Sequence, residues 1–141
     1  MNTAYKILVQ KSKRNLCVYQ GDQLVKTYKI DLGREPIGAK QFEGDHKTPE
    51  GLYEIDDKNP MSKYFLNLGI SYPEAKDLEY ARMHHKEAGG LIKIHGQPND
   101  PSKLDHYPCP DWTEGCIALN NSDMQELYTL IPVGTPIEIV P

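Results

Sequence analysis

Two quoted stretches decide how this chain is interpreted: Ile94-His95-Gly96, and Asp111-Trp112-Thr113-Glu114-Gly115-Cys116-Ile117-Ala118-Leu119. The histidine closes a short apolar run, and the cysteine follows a glycine 21 positions later. A thiol and an imidazole form a nucleophile and its base when the fold brings them together, whatever their separation in sequence. Either residue alone is more often structural, so the pair needs support from the surrounding pattern.

Alternation along residues 91–95 predicts a strand with Ile92 and Ile94 on the core face and with Lys93 and His95 on the other face. We therefore expect His95 to point away from the core at the end of its strand, beside a cleft. The glycine before Cys116 allows close backbone approach, so the N–H groups of Gly115 and Cys116 are the expected oxyanion donors.

This pattern resembles the L,D-transpeptidase catalytic domain, or YkuD-type, family. The resemblance is carried by His95-Gly96, by the residues 113–117, by Gly44-Asp45-His46-Lys47-Thr48-Pro49-Glu50-Gly51 and by Gly134-Thr135-Pro136-Ile137. It extends from about residue 5 to the end of the chain. Two positions depart from the family motif, because Glu114 replaces its second histidine and Ala118 replaces a common arginine.

The resemblance implies cysteine-dependent acyl transfer on the stem peptides of peptidoglycan, through a thioester acyl-enzyme. An L,D-carboxypeptidase or another peptidoglycan amide hydrolase with the same site is the alternative. The implied location is the cell envelope or periplasm. Residues 1–6 carry no signal-peptide pattern, so three expectations stay open: a signal removed from this chain, export by another route, or a protein that stays inside the cell.

The predicted catalytic residues are Cys116, His95, Gly96 and Gly115. The resemblance suggests that a backbone carbonyl holds the imidazole, and the carbonyl of Gly96 is the local candidate, while Asp111 and Glu114 compete for this role. The predicted substrate-binding residues are Thr113, Lys93, Trp112 and Glu114. Lys93 and the basic residues of the excursion at 34–47 are the candidates that replace the missing arginine at Ala118 in binding a substrate carboxylate. We also expect Cys116 to be the thiol that alkylating reagents modify first.

The composition is that of a water-soluble globular protein, with 141 residues, 38% hydrophobic and 26% charged residues, and a net charge of −4. Lysines and arginines are scattered, so the electrostatic footprint of nucleic-acid binding is missing. No apolar run is long enough to span a membrane. We predict one domain over residues 1–141, a monomer, with no cofactor and no metal.

Two other classes of function stay open at this point. One is a non-catalytic cell-wall binding module that has kept the fold. The other is a metal-binding regulatory protein that uses His106, Cys109 and Cys116, although these cysteines lack the usual metal-ligand spacing.

The remaining pattern predicts a mainly β fold of two packed sheets, a sandwich-like arrangement with two peripheral helices. Strands are predicted at 6–10, 16–19, 24–30, 52–55, 64–68, 91–95 and 137–139, with a turn at 56–62. Helices are predicted at 73–86 and from about 121 to 131. The second helix has the clearest signal, an apolar stripe at Met124, Leu127, Tyr128 and Ile131. A Gly- and Pro-rich excursion at 33–51 is predicted to have little regular structure.

Overall fold

A computed structural model describes residues 4–105 and 107–141 of the chain. Its strands and helices, in chain order, are β1 (Tyr5–Gln10), β2 (Asn15–Gln20), β3 (Gln23–Lys29), β4 (Gly51–Ser62), β5 (Phe65–Ile70), α1 (Ala75–Met83), β6 (Lys93–His95), β7 (Ile117–Ala118), α2 (Asn121–Leu130) and β8 (Pro136–Val140). The mainly β class with two helices is therefore confirmed.

The strands form one mixed sheet in the order β3-β2-β1-β8-β4-β5-β6-β7. The second, separate sheet of our prediction is not confirmed, and the reason is the length of β4. Residues 51–54 of this strand pair with β8, and its later residues, from Ile55 to Ser62, pair with β5. One strand thus joins both halves, and irregularities in the β4–β5 register interrupt the regular ladder.

The predicted turn at 56–62 is wrong, because these residues continue β4. Asp57, Lys58 and Asn59 pair with Gly69, Leu68 and Asn67 across the hairpin. Their charged and polar side chains are tolerated because residues 56–61 are exposed or half-buried on both faces of this part of the hairpin. The actual turn of the hairpin lies at residues 63–64.

The core lies where the apolar side of the sheet meets α2. Ile7, Val9, Ile137 and Ile139 are buried at alternate positions of the parallel strands β1 and β8. The apolar stripe predicted for α2 is confirmed: Met124, Leu127 and Ile131 are fully buried, and Tyr128 packs against the core.

Helix α2 has a side-chain cap at its start, and the two helices differ in how many of their side chains are buried. The side chain of Asn120 caps α2 by accepting a hydrogen bond from the N–H of Asp123 at 2.8 Å. By contrast, α1 buries only Ala81 among its residues and lies on the surface, as its thin apolar face predicts. Of the two helices, α2 therefore contributes more to the core. The β6–β7 edge of the sheet is flanked by loops.

Candidate active site

Cys116 lies immediately before β7, at the edge of the sheet. Strands β6 and β7 are parallel, with Ile94 opposite Ile117 and His95 opposite Ala118. Extending this register by one residue places Cys116 opposite Lys93, and alternation places both on the same face as His95. The N–H of Lys93 donates to the Cys116 Sγ at 3.3 Å, and the thiol donates to the carbonyl of Leu91 at 3.4 Å.

The turn that carries the cysteine is closed by the hydroxyl of Thr113. Its Oγ1 accepts from the Gly115 N–H at 3.1 Å and donates to the Cys116 carbonyl at 2.7 Å. Thr113 is only 3% exposed, so its hydroxyl is used inside the turn. The Gly115 N–H is engaged in the same way, which leaves the Cys116 N–H as the better placed of the two predicted oxyanion donors.

Trp112, which was also predicted to bind substrate, is buried beside the turn. It is 3% exposed, and its ring packs against His95 and Tyr107 at centroid distances of 5.7 and 5.0 Å. Burial puts both Thr113 and Trp112 behind the turn, so their positions favour support of the site over contact with a substrate. Sequence reasoning could not separate these roles, because both residues adjoin the motif.

The excursion at 33–51 supports the cysteine turn from outside the sheet. Thr48 is fully buried, and its Oγ1 donates to the Gly115 carbonyl at 2.8 Å and accepts from the Gly33 N–H at 3.3 Å. A Cβ on Gly33 would lie 2.9 Å from the Gly115 Cα and would overlap the His46 carbonyl. The motif at 44–51 contained Thr48, but only the structure shows what its hydroxyl does.

Buried Lys11 fixes the same excursion at a second point. Its ammonium donates to the carbonyls of Thr48 and Gly38 at 2.8 and 2.9 Å and pairs with Glu50 at 3.1 Å. Burial lowers the pKa of this lysine, and the Glu50 carboxylate opposes the change. The Lys11 ammonium, the two carbonyls and the Glu50 carboxylate thus tie the end of β1 to the excursion. The excursion in turn contacts the turn that carries Cys116 through the hydroxyl of Thr48.

His95 is held by its neighbour's backbone. Its Nδ1 lies 2.8 Å from the Gly96 carbonyl oxygen, which is the contact that the resemblance implied. Because a carbonyl only accepts, Nδ1 carries the proton and Nε2 is left as the basic nitrogen. A Cβ on Gly96 would lie 2.5 Å from the Asn121 Oδ1, so glycine is required for the close approach of α2.

His95 lies at the end of its strand, as predicted, but its side chain is enclosed and does not stand open to a cleft. The side chain is 3% exposed, because the ring of Tyr64 stacks on the imidazole at 4.4 Å with an interplanar angle of 20°. Burial lowers the pKa of His95 to about 4, and the hydrogen bond to Gly96 opposes the change only partly. The imidazole is therefore neutral at pH 7. Tyr64 was not among the predicted site residues, since its strand pattern carried no sign of this contact.

The two carboxylates that competed for the imidazole lie elsewhere. Asp111 binds the guanidinium of Arg14, with a shortest contact of 2.7 Å, and accepts from the Leu32 N–H at 2.9 Å. Glu114 is exposed, and its carboxylate contacts the Nδ1 of His46. These contacts leave the carbonyl of Gly96 as the group that orients His95.

The thiol is half-buried and is held in its neutral form. Burial raises the pKa of Cys116, the Lys93 N–H and the charges of Lys93 and Lys40 oppose this, and Glu114 adds to it. Among residues 4–105 and 107–141, the hydrogen bonds include none between the thiol and His95, although we expected one. The register explains this, because the two residues are diagonal and not directly opposite. Such contacts often tighten only when substrate binds.

The other two cysteines have different environments. Cys109 is exposed and Cys17 is buried in β2. A thiol that is exposed reacts with small reagents more readily than one that is half-buried with a raised pKa. These environments favour Cys109 over Cys116 as the first thiol to be alkylated, and the order stays a prediction for peptide mapping.

Lys93 extends over Gly69, away from the strand that carries it. A Cβ built on Gly69 would lie 3.2 Å from the Lys93 Nζ and 2.6 Å from the Asp56 Oδ1, so both side chains occupy the space above this glycine. The lysine stays on the thiol's side of the sheet, where its charge favours the thiolate. Beyond the hairpin turn, a cavity of about 240 Å³ lies beside Tyr64.

Within the described part of the chain, no three His, Cys, Asp or Glu side chains are grouped so that they could hold a metal ion. His106, which the metal-binding alternative required, lies outside the described residues. In the same ranges, 4–105 and 107–141, no helix has the length and apolar character needed to cross a membrane.

The fold and this site together define a mainly β domain with a thiol and an imidazole on one face of two parallel strands, β6 and the edge strand β7. The chain belongs to the YkuD family of L,D-transpeptidase catalytic domains, whose model matches residues 4–139. This confirms the resemblance drawn from the motifs around His95 and Cys116.

Three known proteins illustrate the relationship. YafK of Escherichia coli K12, assigned to the L,D-transpeptidases, is 31% identical over 137 residues, which is 93% of this chain and 48% of YafK. The helical cell shape determining protein Pgp2 of Campylobacter jejuni superposes with a TM-score of 0.72 at 27% identity, over 96% of this chain and 47% of Pgp2. An L,D-transpeptidase of Mycobacterium smegmatis, at 13% identity and a TM-score of 0.62, shares the fold over 97% of this chain and 58% of its own. This chain thus spans about half of YafK and of Pgp2.

Proposed function

We propose that this domain catalyses cysteine-dependent acyl transfer on peptidoglycan stem peptides in the cell envelope. The observation that carries the proposal is the common face of Cys116 and a neutral His95 whose Nδ1 is held by Gly96 at 2.8 Å. The family supports the reaction class, and the cell-shape role named for Pgp2 is consistent with a cell-wall substrate.

The first half of the reaction is acylation of the thiol. The Sγ of Cys116 attacks the carbonyl carbon at the L-centre of a diamino acid, and the Nε2 of His95 takes the thiol proton. The Cys116 N–H stabilises the oxyanion. The tetrahedral species then collapses, its C–N bond breaks, and the D-residue leaves as an amine after receiving that proton from His95. A thioester remains on Cys116.

The second half returns the thiol. An amine that attacks the thioester loses a proton to His95 and forms a new amide, whereas water forms a carboxylate. The sulfur leaves and is reprotonated by the imidazole. Because both pKa values favour neutral groups, the thiolate forms during attack and is not present at rest.

Hydrolysis at the same site is the second candidate function. It is supported by the absence of the family's arginine at position 118. Ala118 carries no donor where the family motif has an arginine, and its backbone is bonded to Asp31 in both directions at 2.9 Å. The grip on a substrate carboxylate then falls to Lys93, on the facing strand.

The test is incubation of the protein with a purified stem tetrapeptide, with and without an added D-amino acid. We expect a covalent adduct on Cys116 of the mass of the acyl tripeptide, and products that exchange or lose the terminal D-residue. The variant Cys116→Ala should give neither. A parent protein that forms no adduct and releases no D-residue would overturn the proposal, while release without exchange would select the hydrolase.

A further inference from the structure

Asn67 of β5 carries a buried oxygen that the reaction above does not use. Its side chain is 9% exposed, and within residues 4–105 and 107–141 no group donates a hydrogen bond to its Oδ1. A buried amide oxygen without a donor costs free energy, and folded proteins contain few of them. Beside a candidate active site, the donor that such an oxygen lacks can be supplied by the substrate.

The register of the sheet places Asn67 directly beside His95. The two residues are opposite each other in the antiparallel pair of β5 and β6, so their side chains share a face. The Ile70 N–H donates to the Ile92 carbonyl at 3.0 Å, which identifies these two residues as a hydrogen-bonded pair. Because the two kinds of pair alternate, Asn67 and His95 form a non-hydrogen-bonded pair, in which the Cβ atoms lie about 4.5–5.5 Å apart. The amide of Asn67 therefore adjoins the imidazole.

The strand order decides on which side of His95 this amide lies. Strands β5, β6 and β7 are neighbours in that order, so His95 lies between Asn67 and the strand that follows Cys116. In the proposed reaction, the Nε2 of His95 gives a proton to the leaving nitrogen, which must therefore lie close to the imidazole. Asn67 is the residue that adjoins the imidazole on the side away from the thiol.

The ring of Tyr64 controls access to this part of the face. The backbone bends at Phe65, whose φ is 72°, and the Gly96 N–H donates to the Tyr64 carbonyl at 2.8 Å. The half-buried Tyr64 is thereby placed with its ring stacked on His95. A substrate reaches the Nε2 of His95 when this ring moves aside, and the same movement opens the space beside Asn67.

We propose that the Oδ1 of Asn67 accepts a hydrogen bond from the N–H of the amide that is cleaved, and so selects amide substrates over esters. The inference rests on the proposed function, in which the thiol attacks a peptide carbonyl. As the C–N bond breaks, the nitrogen keeps the hydrogen that is bonded to Asn67 and gains a second one from His95. In the return step, an attacking amine loses one proton to His95 and keeps another on Asn67.

A purely structural role for Asn67 makes a different prediction. Asn59 lies opposite Asn67 on β4 and has such a role, because its Oδ1 accepts from the Met61 N–H at 2.9 Å. An amide that only shapes the hairpin affects all substrates alike. An acceptor for the scissile N–H distinguishes an amide from an ester, which has no hydrogen at that position.

The experiment compares a stem tetrapeptide with a depsipeptide in which an ester oxygen replaces the scissile N–H. In Asn67→Leu, a replacement of similar size, kcat/KM for the amide should fall about threefold to tenfold, the range of one neutral hydrogen bond. For the ester, kcat/KM should be unchanged or higher, because the ester brings no donor to Asn67. Asn59→Leu is the matched control and should keep the parent's amide-to-ester ratio.

A second variant, Asn67→Ala, separates the loss of the oxygen from the shape of leucine and should lower the same ratio. Both variants should fold, because an oxygen without a donor does not stabilise the protein. If neither variant folded in urea titrations, the amide would be a structural element, and the inference would be overturned.

The kinetic outcomes separate the two proposals. An equal loss on the amide and the ester in the Asn67 variants, or no loss on either, would overturn the role of Asn67 while acyl transfer stands. A parent protein that forms no adduct with either substrate would overturn both.

Discussion

The replacement His95→Gln tests whether the buried imidazole is neutral. In the folded protein its pKa is lowered from 6.5 to about 4, so below pH 6.5 the unfolded chain binds a proton that the folded chain excludes. Stability is therefore lost as the pH falls from 6.5 towards 4, and the glutamine variant does not suffer this loss. From these two pKa values, linkage gives about 2 kcal/mol between pH 7 and pH 5, and about 3 kcal/mol by pH 4.

The assay is urea unfolding of parent and variant at pH 7 and at pH 5. At pH 7 the parent should be more stable, because the variant loses the hydrogen bond to Gly96 and the contact with Tyr64. At pH 5 the difference should be smaller by about 2 kcal/mol. Comparing the two proteins at each pH removes the contribution of all other titrating groups.

Tyr64→Phe is the matched control, because it removes only the hydroxyl of the ring that covers His95 and leaves the imidazole in place. Its difference from the parent should stay the same at both pH values. If the gap between parent and His95→Gln also stayed constant, then His95 would titrate alike in the folded and unfolded chains, and the reasoning from burial would be refuted. The same neutral base predicts that kcat/KM keeps its value at pH 5.5, where an exposed imidazole would be mostly protonated.

Thr48→Val should lower the free energy of unfolding by about 1–3 kcal/mol, measured in urea, because it leaves buried hydrogen-bonding groups without their partner. It should also slow acylation, since the cysteine turn loses its support. Gly33→Ala should cost about 1–3 kcal/mol or more by overpacking, whereas Gly90→Ala, whose Cβ would find its nearest neighbour at 3.7 Å, should stay within about 0.5 kcal/mol by thermal unfolding. Iodoacetamide with peptide mapping should modify exposed Cys109 before half-buried Cys116.

Each of these predictions would be contradicted by a specific result. Thr27→Val, at an exposed position of β3, is the control for Thr48→Val. If both replacements lowered the free energy of unfolding equally, the hydrogen bonds of buried Thr48 would contribute no more than those of an exposed threonine. Equal effects of the two glycine replacements would contradict the close approach at Gly33. Labelling of Cys116 ahead of Cys109 would mean that the thiol is more accessible or more acidic than its burial implies.

Much of the fold could be predicted because alternation and helical periodicity are local signals. The pattern along β1 and β8 identifies which side chains are buried, and the stripe from Met124 to Ile131 identifies α2 and its inner face. These inferences need only the spacing of apolar residues, which can be read directly from the sequence. The turn predicted at 56–62 was wrong, because a run of polar residues that are solvated on both faces of a hairpin has the same composition as a turn.

The family and the candidate pair could also be predicted, because the motifs around His95 and Cys116 are short and contiguous. The group that holds His95 is its own neighbour, Gly96, so this contact too is a local one. What remains a prediction is the chemistry, since a motif names the residue types and does not measure their reaction.

Only the tertiary structure decided what surrounds the pair. The hydrogen bond from Thr48 to Gly115 joins residues 67 positions apart, and the ion pair of Arg14 with Asp111 joins residues 97 positions apart. The stacking of Tyr64 on His95, which sets the pKa of the imidazole by burial, depends on how β4 and β5 meet β6. Periodicity shows that a side chain faces inward, but its partner is fixed by the path of distant segments. For that reason the sequence predicted which residues are the candidate nucleophile and base, and the fold determined their burial, their protonation and the groups that support them.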